Sequence, residues 1–284
     1  MDWSKETKKI ADWMREYNRN AGTKGYVCGI SGGLDSAVVA ALSISAVGKE
    51  NTYLYYIGID SDSKCFEDAE SIARALGVEL HSAGLTKVFN VYLLYSSMFL
   101  DPDTVNGIHS DLSKGNIKAR LRMLFIYDMA HERNCLVSGT GNLSELQMGY
   151  ITKHGDGACD IEPIGDYYKT EIIQMAKVLP IPKRIITKPP SADLWEGQTD
   201  EEELGITYKE LDRILVGLRT GNRGILDNIP VEQLTKVQDM IRISSHKLKV
   251  PSSYKRFDAS SQILTLDFPS VVCYDTVNKE QEDG

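Results

Sequence analysis

Hydrophobic positions in the first half of the chain alternate between short β-rich runs and longer stretches whose apolar residues recur with helical spacing. The runs Gly25 to Ile30, Thr52 to Ile59, Val78 to Ser82 and Cys135 to Ser138 predict strands. Helices are predicted between them, over Trp3 to Asn18, Ser36 to Ala46, Glu67 to Leu76 and Ile117 to Arg133. The first of these helices carries Ile10, Trp13, Met14 and Tyr17 as its apolar residues, and the last gathers Leu121, Leu124, Phe125 and Met129 on one face. Strands alternating with helices predict an α/β fold, a doubly wound and mainly parallel sheet with helices on both faces. Further helices are predicted over Ser144 to Gly149, Thr170 to Leu179, Tyr208 to Leu218 and Val231 to Ser245, with Pro180 and Pro182 ending the second. The polar stretch Asp101 to Asn116 gives no regular pattern.

A length of 284 residues suits one large α/β domain, drawn over residues 1–275, with a polar, flexible tail over 276–284. No uncharged apolar run is long enough to span a membrane, and the first residues lack the basic-then-apolar order of a secretory signal. A cytoplasmic protein without a membrane role is therefore expected. A net charge of −8 argues against broad electrostatic binding to nucleic acid, so positive charge for any anionic substrate must be concentrated locally. The five cysteines are scattered, with no Cys-x-x-Cys pair. Cys28 and Cys135 fall in apolar runs and read as buried hydrophobes, not as disulfide or metal partners.

Candidate chemistry begins where the first predicted strand ends. Gly29, Ile30, Ser31, Gly32, Gly33, Leu34, Asp35 and Ser36 form a glycine-rich loop that opens a helix. Adjacent glycines let the backbone turn tightly and aim several N–H groups at one spot, and the helix N-terminus adds partial positive charge there. Such a nest binds phosphate oxygens. Asp35 occupies the region where a Walker loop carries lysine, and a carboxylate repels phosphate unless a divalent cation lies between, so Asp35 implies Mg²⁺. The alternative is a structural turn with Asp35 and Ser36 as helix caps. Thr140 directly follows a predicted strand, at the carboxyl end where open α/β sheets bind ligands. Glu145, about one turn into the next helix, can supply a second carboxylate, although by itself it reads as a surface charge. Lys153 to Asp160 has the composition of a loop that closes over a reaction, or of an ordinary surface turn.

The hexapeptide Ser31-Gly-Gly-Leu-Asp-Ser36 resembles the loop of N-type ATP pyrophosphatases, which implies cleavage of ATP between its α- and β-phosphates. The block Ser138 to Lys169 resembles the central signature of the NAD synthetase family, with further matches at Lys188 to Leu194, Glu203 to Tyr208 and Ser245 to Lys249. The resemblance implies an ammonia-dependent amidation of deamido-NAD, with ATP as co-substrate and Mg²⁺ as metal. It also implies a five-stranded, adenine nucleotide alpha hydrolase-like sheet and a homodimer. ATP contacts are implied for the loop from Gly29 to Ser36 and for Thr140, Lys169 and Ser191; metal contacts for Asp35 and Glu145; and deamido-NAD contacts for Arg120, Lys153, Asp160, His246 and Lys247. The implied catalytic set is Asp35, Asp156, Asp160 and Lys169. Arg122 reads as a solvated helix charge, and an isolated histidine near a helix end, such as His246, is more often structural. Cys159 stands where the family usually has Gly or Ala, and Ser191 where it usually has Thr. Ammonia is expected as the direct nitrogen donor unless a partner protein supplies it. Two competing readings are a tRNA-modifying relative, which would need a cysteine pair or a basic face, and an ATP-binding sensor without turnover.

Overall fold

The computed structural model describes residues 1–100, 109–190, 200–227 and 229–249. Its centre is a parallel sheet of β1 (Tyr26–Gly29), β2 (Thr52–Gly58), β3 (Leu80–Gly84) and β4 (Leu136–Ser138), in the order β3-β2-β1-β4. Tyr26 lies opposite both Thr52 and Leu136, and Leu54 lies opposite Leu80. Successive side chains point to opposite faces: Tyr26, Cys28, Leu54 and Tyr56 enter one core, and Val27, Tyr55, Ile57 and Val137 enter another. Burial on both faces explains why the strands read as nearly continuous apolar runs. The sheet among the described residues has four strands where five are expected; beside β4, Ile161 makes one isolated parallel bridge to Ser138.

The first face is covered by α1 (Trp3–Asn20), α2 (Leu34–Val47), α3 (Ser63–Leu76) and α7 (Lys169–Ala176); the second by α4 (Thr86–Ser97) and α5 (Asp111–Arg133). A third apolar cluster forms a helical lobe from α6 (Leu143–Met148), α9 (Asp200–Leu204), α10 (Tyr208–Thr220) and α12 (Val231–Ser244), around Met148, Leu204, Leu211, Ile214 and Val237. Two single-turn helices, α8 (Lys183–Ile186) and α11 (Arg223–Leu226), complete the described α-helices. No described helix is long and apolar enough to cross a membrane.

Several expectations change. The α4 helix occupies a stretch where none was predicted, because its apolar residues surround the axis: Phe89 is buried while Val88, Val91, Leu94 and Tyr95 are exposed. α5 begins at Asp111, inside the stretch that gave no pattern, where the Ser110 side chain accepts the Ser113 N–H as an N-cap. β3 sits two residues later than predicted, and α3 starts four residues earlier, capped by Asp62. Trp13 is 45% exposed and Leu124 70% exposed, so neither belongs to the core face assigned to it. The predicted tail lies outside the described residues.

The strand order positions the site. After β1 the chain builds β2 and β3 on one side, then returns to place β4 on the other. The loops leaving β1 and β4 therefore diverge at the carboxyl edge and open the crevice in which doubly wound sheets bind ligands. Within the first loop Gly32 has φ +86, and a Cβ there would stand 2.6 Å from the Cys65 carbonyl oxygen. Gly32→Ala is expected to destabilise the protein by about 1–3 kcal/mol through backbone strain and this clash. An unchanged urea midpoint would show that neither constraint operates.

Candidate functional site

The loop after β1 carries its own hydrogen bonds. Ser31 Oγ accepts the Gly33 N–H at 3.2 Å and lies 3.3 Å from Ser36 Oγ, which donates to the Gly33 carbonyl at 3.0 Å. Gly33 caps α2 without a side-chain acceptor, so the first-turn N–H groups of α2 face the crevice uncapped. That is the arrangement of an anion site.

Across the crevice, the Gly139-Thr140-Gly141 loop leads from β4 into α6. Asn142 caps α6 in a reciprocal box: its Oδ1 accepts the Glu145 N–H at 3.0 Å, and Glu145 Oε2 accepts the Asn142 N–H at 3.3 Å. The box orients Glu145 as well as ending the helix, and leaves Oε1 directed at Lys169 Nζ, 3.3 Å away. Lys169 Nζ also donates to Asp35 Oδ2, and Asn142 Nδ2 donates to Asp35 Oδ1 at 3.3 Å. A lysine at a helix N-terminus opposes the helix dipole, so its place needs further support. The Lys169 N–H donates to Ser144 Oγ at 3.0 Å; Ser144 donates to Asp212 Oδ1, and Asp212 Oδ2 accepts the Thr170 N–H at 2.9 Å.

The side chains of Asp35 and Glu145 are each 16% exposed and that of Lys169 6%. Glu145 is therefore a buried member of a charge cluster, not the surface group its position suggested. Burial is the largest influence on Glu145 and pushes it well above the usual carboxylate range; Lys169 opposes this, and Asp35 and Asp200 add to it. Burial alone would lower the Lys169 ammonium, but Asp35 and Glu145 outweigh it and hold it protonated. Two carboxylates thus share one ammonium, with Asp200 adding its charge from farther off, and the donors are all oxygen. That set suits a hard divalent cation. Among the described residues no group of three or more His, Cys, Asp and Glu side chains is arranged to hold a metal ion.

A second patch lies beyond α6. Arg120 Nε donates to the Lys153 carbonyl at 3.2 Å, Lys153 Nζ to the His246 carbonyl at 3.2 Å, and Lys247 Nζ to the carbonyls of Gly149 and Ile151 at 2.7 and 2.9 Å. Asp156 Oδ1 accepts the Thr152 N–H at 2.9 Å. Arg120, Lys153, Asp156, His246 and Lys247 are thus brought together, though Lys247 is engaged with backbone carbonyls. Asp160 is set apart: its Oδ2 accepts the Val137 N–H at 2.7 Å, and the Tyr127 hydroxyl donates to Oδ1 at 3.4 Å. The stretch from Lys153 to Asp160 is a run of tight turns, with Gly155 and Gly157 donating to the Thr152 carbonyl. Ser191 lies outside the described residues. Arg122 is no solvated helix charge: its Nε donates to the Ile57 carbonyl at 3.1 Å and its guanidinium to Ser61 Oγ at 3.3 Å.

Sequence reading missed Asn142, Ser144, Tyr208 and Asp212. Only Asn142 left a local signal, since Asn142-Leu-Ser-Glu145 has capping-box spacing. It also missed Glu162, whose Oε2 accepts the Gly141 N–H at 3.0 Å beneath the loop bearing Thr140. Burial pushes Glu162 up to about 7, against its hydrogen bonds from Cys159 and Gly141. The Cys159 thiol is itself driven far up by burial and by Glu162, so it stays protonated and is a poor nucleophile.

Residues 6–251 match the family model described as NAD synthase. The chain is 41% identical over 247 residues to an NH(3)-dependent NAD(+) synthetase of Methanococcoides burtonii, covering 85% of this chain and 91% of that one. Among solved structures it is similar to an NMN synthetase from Francisella tularensis, with TM-score 0.79 and 32% identity over 90% of this chain and all of the other. It is similar also to an NH3-dependent NAD synthetase from Campylobacter jejuni, with TM-score 0.75 and 30% identity over the same shares.

Glu162 gives a pH prediction. Its folded value, about 7, exceeds the ordinary 4.5, so stability is fully present below pH 4.5 and is lost as pH rises through 7. Glu162→Gln keeps an acceptor for Gly141 and removes the charge. Relative to the parent, the variant is expected to gain about 1–3 kcal/mol between pH 5 and pH 8 in urea titrations. A difference that does not vary with pH contradicts the assignment.

Proposed function

The chain belongs to the NAD synthase family, and we propose that it joins ammonia to the nicotinate carboxylate of deamido-NAD while splitting ATP to AMP and pyrophosphate. It is a ligase of the ammonia-dependent NAD synthetases. A carboxylate is a poor electrophile, because ammonia cannot displace oxide from it. The carboxylate oxygen therefore first forms a bond to the α-phosphorus of ATP, and the bond to the bridging oxygen breaks with its electron pair leaving on pyrophosphate. Ammonia then attacks the acyl carbon of the mixed anhydride, the bond to AMP breaks, and the nitrogen loses a proton to give the amide.

Both partners in the first step are anions, so charge neutralisation and positioning carry the catalysis. The observation that best supports this reading is Lys169 held between Asp35 and Glu145 at the mouth of the phosphate loop. The N–H groups at the start of α2 bind phosphate oxygens. Asp35 and Glu145 would hold Mg²⁺, which when bound supplies charge neutralisation between the carboxylates and the phosphates. Thr140, Ser191 and Lys169 contact ATP, and Arg120, Lys153, His246 and Lys247 receive the dinucleotide. Asp160 holds the edge of β4 through Val137 and acts on the substrate only if that bond is exchanged. Likeness to an NMN synthetase makes nicotinate mononucleotide the acceptor to compare with deamido-NAD.

With ATP, Mg²⁺, ammonium and deamido-NAD, the protein is expected to form NAD, AMP and pyrophosphate in equal amounts, with a higher kcat/KM than for nicotinate mononucleotide. Asp35→Asn is expected to lower kcat by about 10²–10³-fold, the usual loss when one preorganised electrostatic contact is removed. ADP and phosphate as products, or turnover without deamido-NAD, would refute the reading; turnover of ATP that requires tRNA would favour a modifying enzyme.

We further propose a homodimer, working in the cytoplasm, with α4 in its interface. Val88, Val91, Tyr92, Leu94 and Tyr95 are all exposed along this one helix, and Met98 at its end, an apolar surface that monomers rarely present. Leu94→Asp is expected to shift the sedimentation coefficient from dimer to monomer. A parent protein that sediments as a monomer contradicts the proposal.

A further inference from the structure

One side chain reaches the buried charge cluster from the helical lobe and has no part in the reaction outlined above. Tyr208 is the first residue of α10, placed there by the Thr207 side chain, which accepts the Glu210 N–H as N-cap. Its own N–H donates to Glu201 Oε1 at 2.8 Å. The side chain is almost wholly buried, and its ring lies beneath Lys169, with Nζ 5.2 Å from the ring centroid. Its hydroxyl is 3.1 Å from Asp200 Oδ2 and 3.5 Å from Glu145 Oε1. A phenol has one proton to donate, so Glu145 and Asp200 share a single donor. Burial first, and the carboxylates of Glu145, Asp200 and Asp35 after it, push the ionisation of Tyr208 far up, so the proton stays in place.

The contacts divide by chemistry. The ring face attracts the ammonium through its quadrupole. The hydroxyl draws Glu145 and Asp200 together, although like charges would separate them. Asp200 in turn is tied through its N–H to the Pro190 carbonyl, at the end of the Lys188-Pro-Pro190 segment. The phenol thus connects the helical lobe to the carboxylate and the ammonium that face the phosphate loop.

We propose that Tyr208 is a positioning residue for amide formation, its ring seating Lys169 and its hydroxyl fixing Glu145 against Asp200. The proposal rests on the reading that Glu145 and Lys169 serve Mg²⁺ and ATP. It differs from a packing role in what it predicts: loss of the hydroxyl alone disturbs the carboxylate that would hold the metal, while the core contacts of the ring persist.

The test uses the full chain with Tyr208→Phe and Tyr208→Leu. Tyr208→Phe is expected to raise the Mg²⁺ concentration for half-maximal pyrophosphate release about 5- to 10-fold, the size of one ordinary intramolecular hydrogen bond. The same shift is expected in calorimetric titrations of Mg²⁺ with a non-hydrolysable ATP analogue, where no turnover occurs. KM for deamido-NAD should change by less than about twofold and Tm by less than about 2 °C. Tyr208→Leu should in addition raise KM for ATP, because the ring under Lys169 is gone. The proposal is overturned if Tyr208→Phe keeps the parent Mg²⁺ dependence in both assays, or if every parameter falls in step with a lowered Tm. Parent protein run alongside separates the two levels: AMP and pyrophosphate from the parent with an unshifted variant defeat only the role of Tyr208. A parent that forms neither product defeats the functional reading, and this proposal with it.

Discussion

Burying an ammonium among carboxylates constrains everything around it. Moving each ion out of water costs several kcal/mol even after the protein relaxes, and mutual attraction offsets this only where geometry is good and further hydrogen bonds complete each group. Lys169, Asp35 and Glu145 meet that condition through their neighbours: Asn142 binds both carboxylates, and Ser144 with Asp212 anchors the backbone of Lys169. At an effective dielectric near 20, opposite charges 4 Å apart attract by about 4 kcal/mol. Two such attractions on one lysine outweigh its desolvation, which is why it remains a cation. The same sum leaves the carboxylates in excess.

That excess links fold to function. A parallel sheet whose order reverses at β1 brings the loops after β1 and β4 to one crevice, and each loop delivers one carboxylate to it. Asp35 arrives on the first turn of α2 beside uncapped N–H groups, Glu145 on the first turn of α6. A crevice with anion-binding amides and surplus carboxylate is unfavourable for bare phosphate and favourable for phosphate with a divalent cation. It is the charge pattern that the adenylylation of one anion by another requires.

The phosphate loop was legible in the sequence because its signals are local: a β-rich run, paired glycines and the start of an apolar helix all fall within Tyr26 to Leu42. Residues whose meaning depends on distant partners were not. Glu145 resembles any surface glutamate until Lys169 and Tyr208 are brought against it, and Arg122 reads as solvated until β2 supplies the Ile57 carbonyl. The α4 helix escaped because its apolar residues lie on both the core side and the exposed side, which erases the periodicity on which helix reading depends. The nicotinate acceptor was read from resemblance alone, through the block from Ser138 to Lys169, and no spacing rule reaches it.

The central claim is that a carboxylate oxygen of deamido-NAD attacks the α-phosphate of ATP. It is tested most directly by labelling that carboxylate with the heavy isotope of oxygen, running a single turnover with Mg²⁺ and ammonium, and locating the label by mass spectrometry. The account predicts one labelled oxygen in AMP and none in pyrophosphate. Label in pyrophosphate or inorganic phosphate, or AMP free of label while NAD forms, would contradict it.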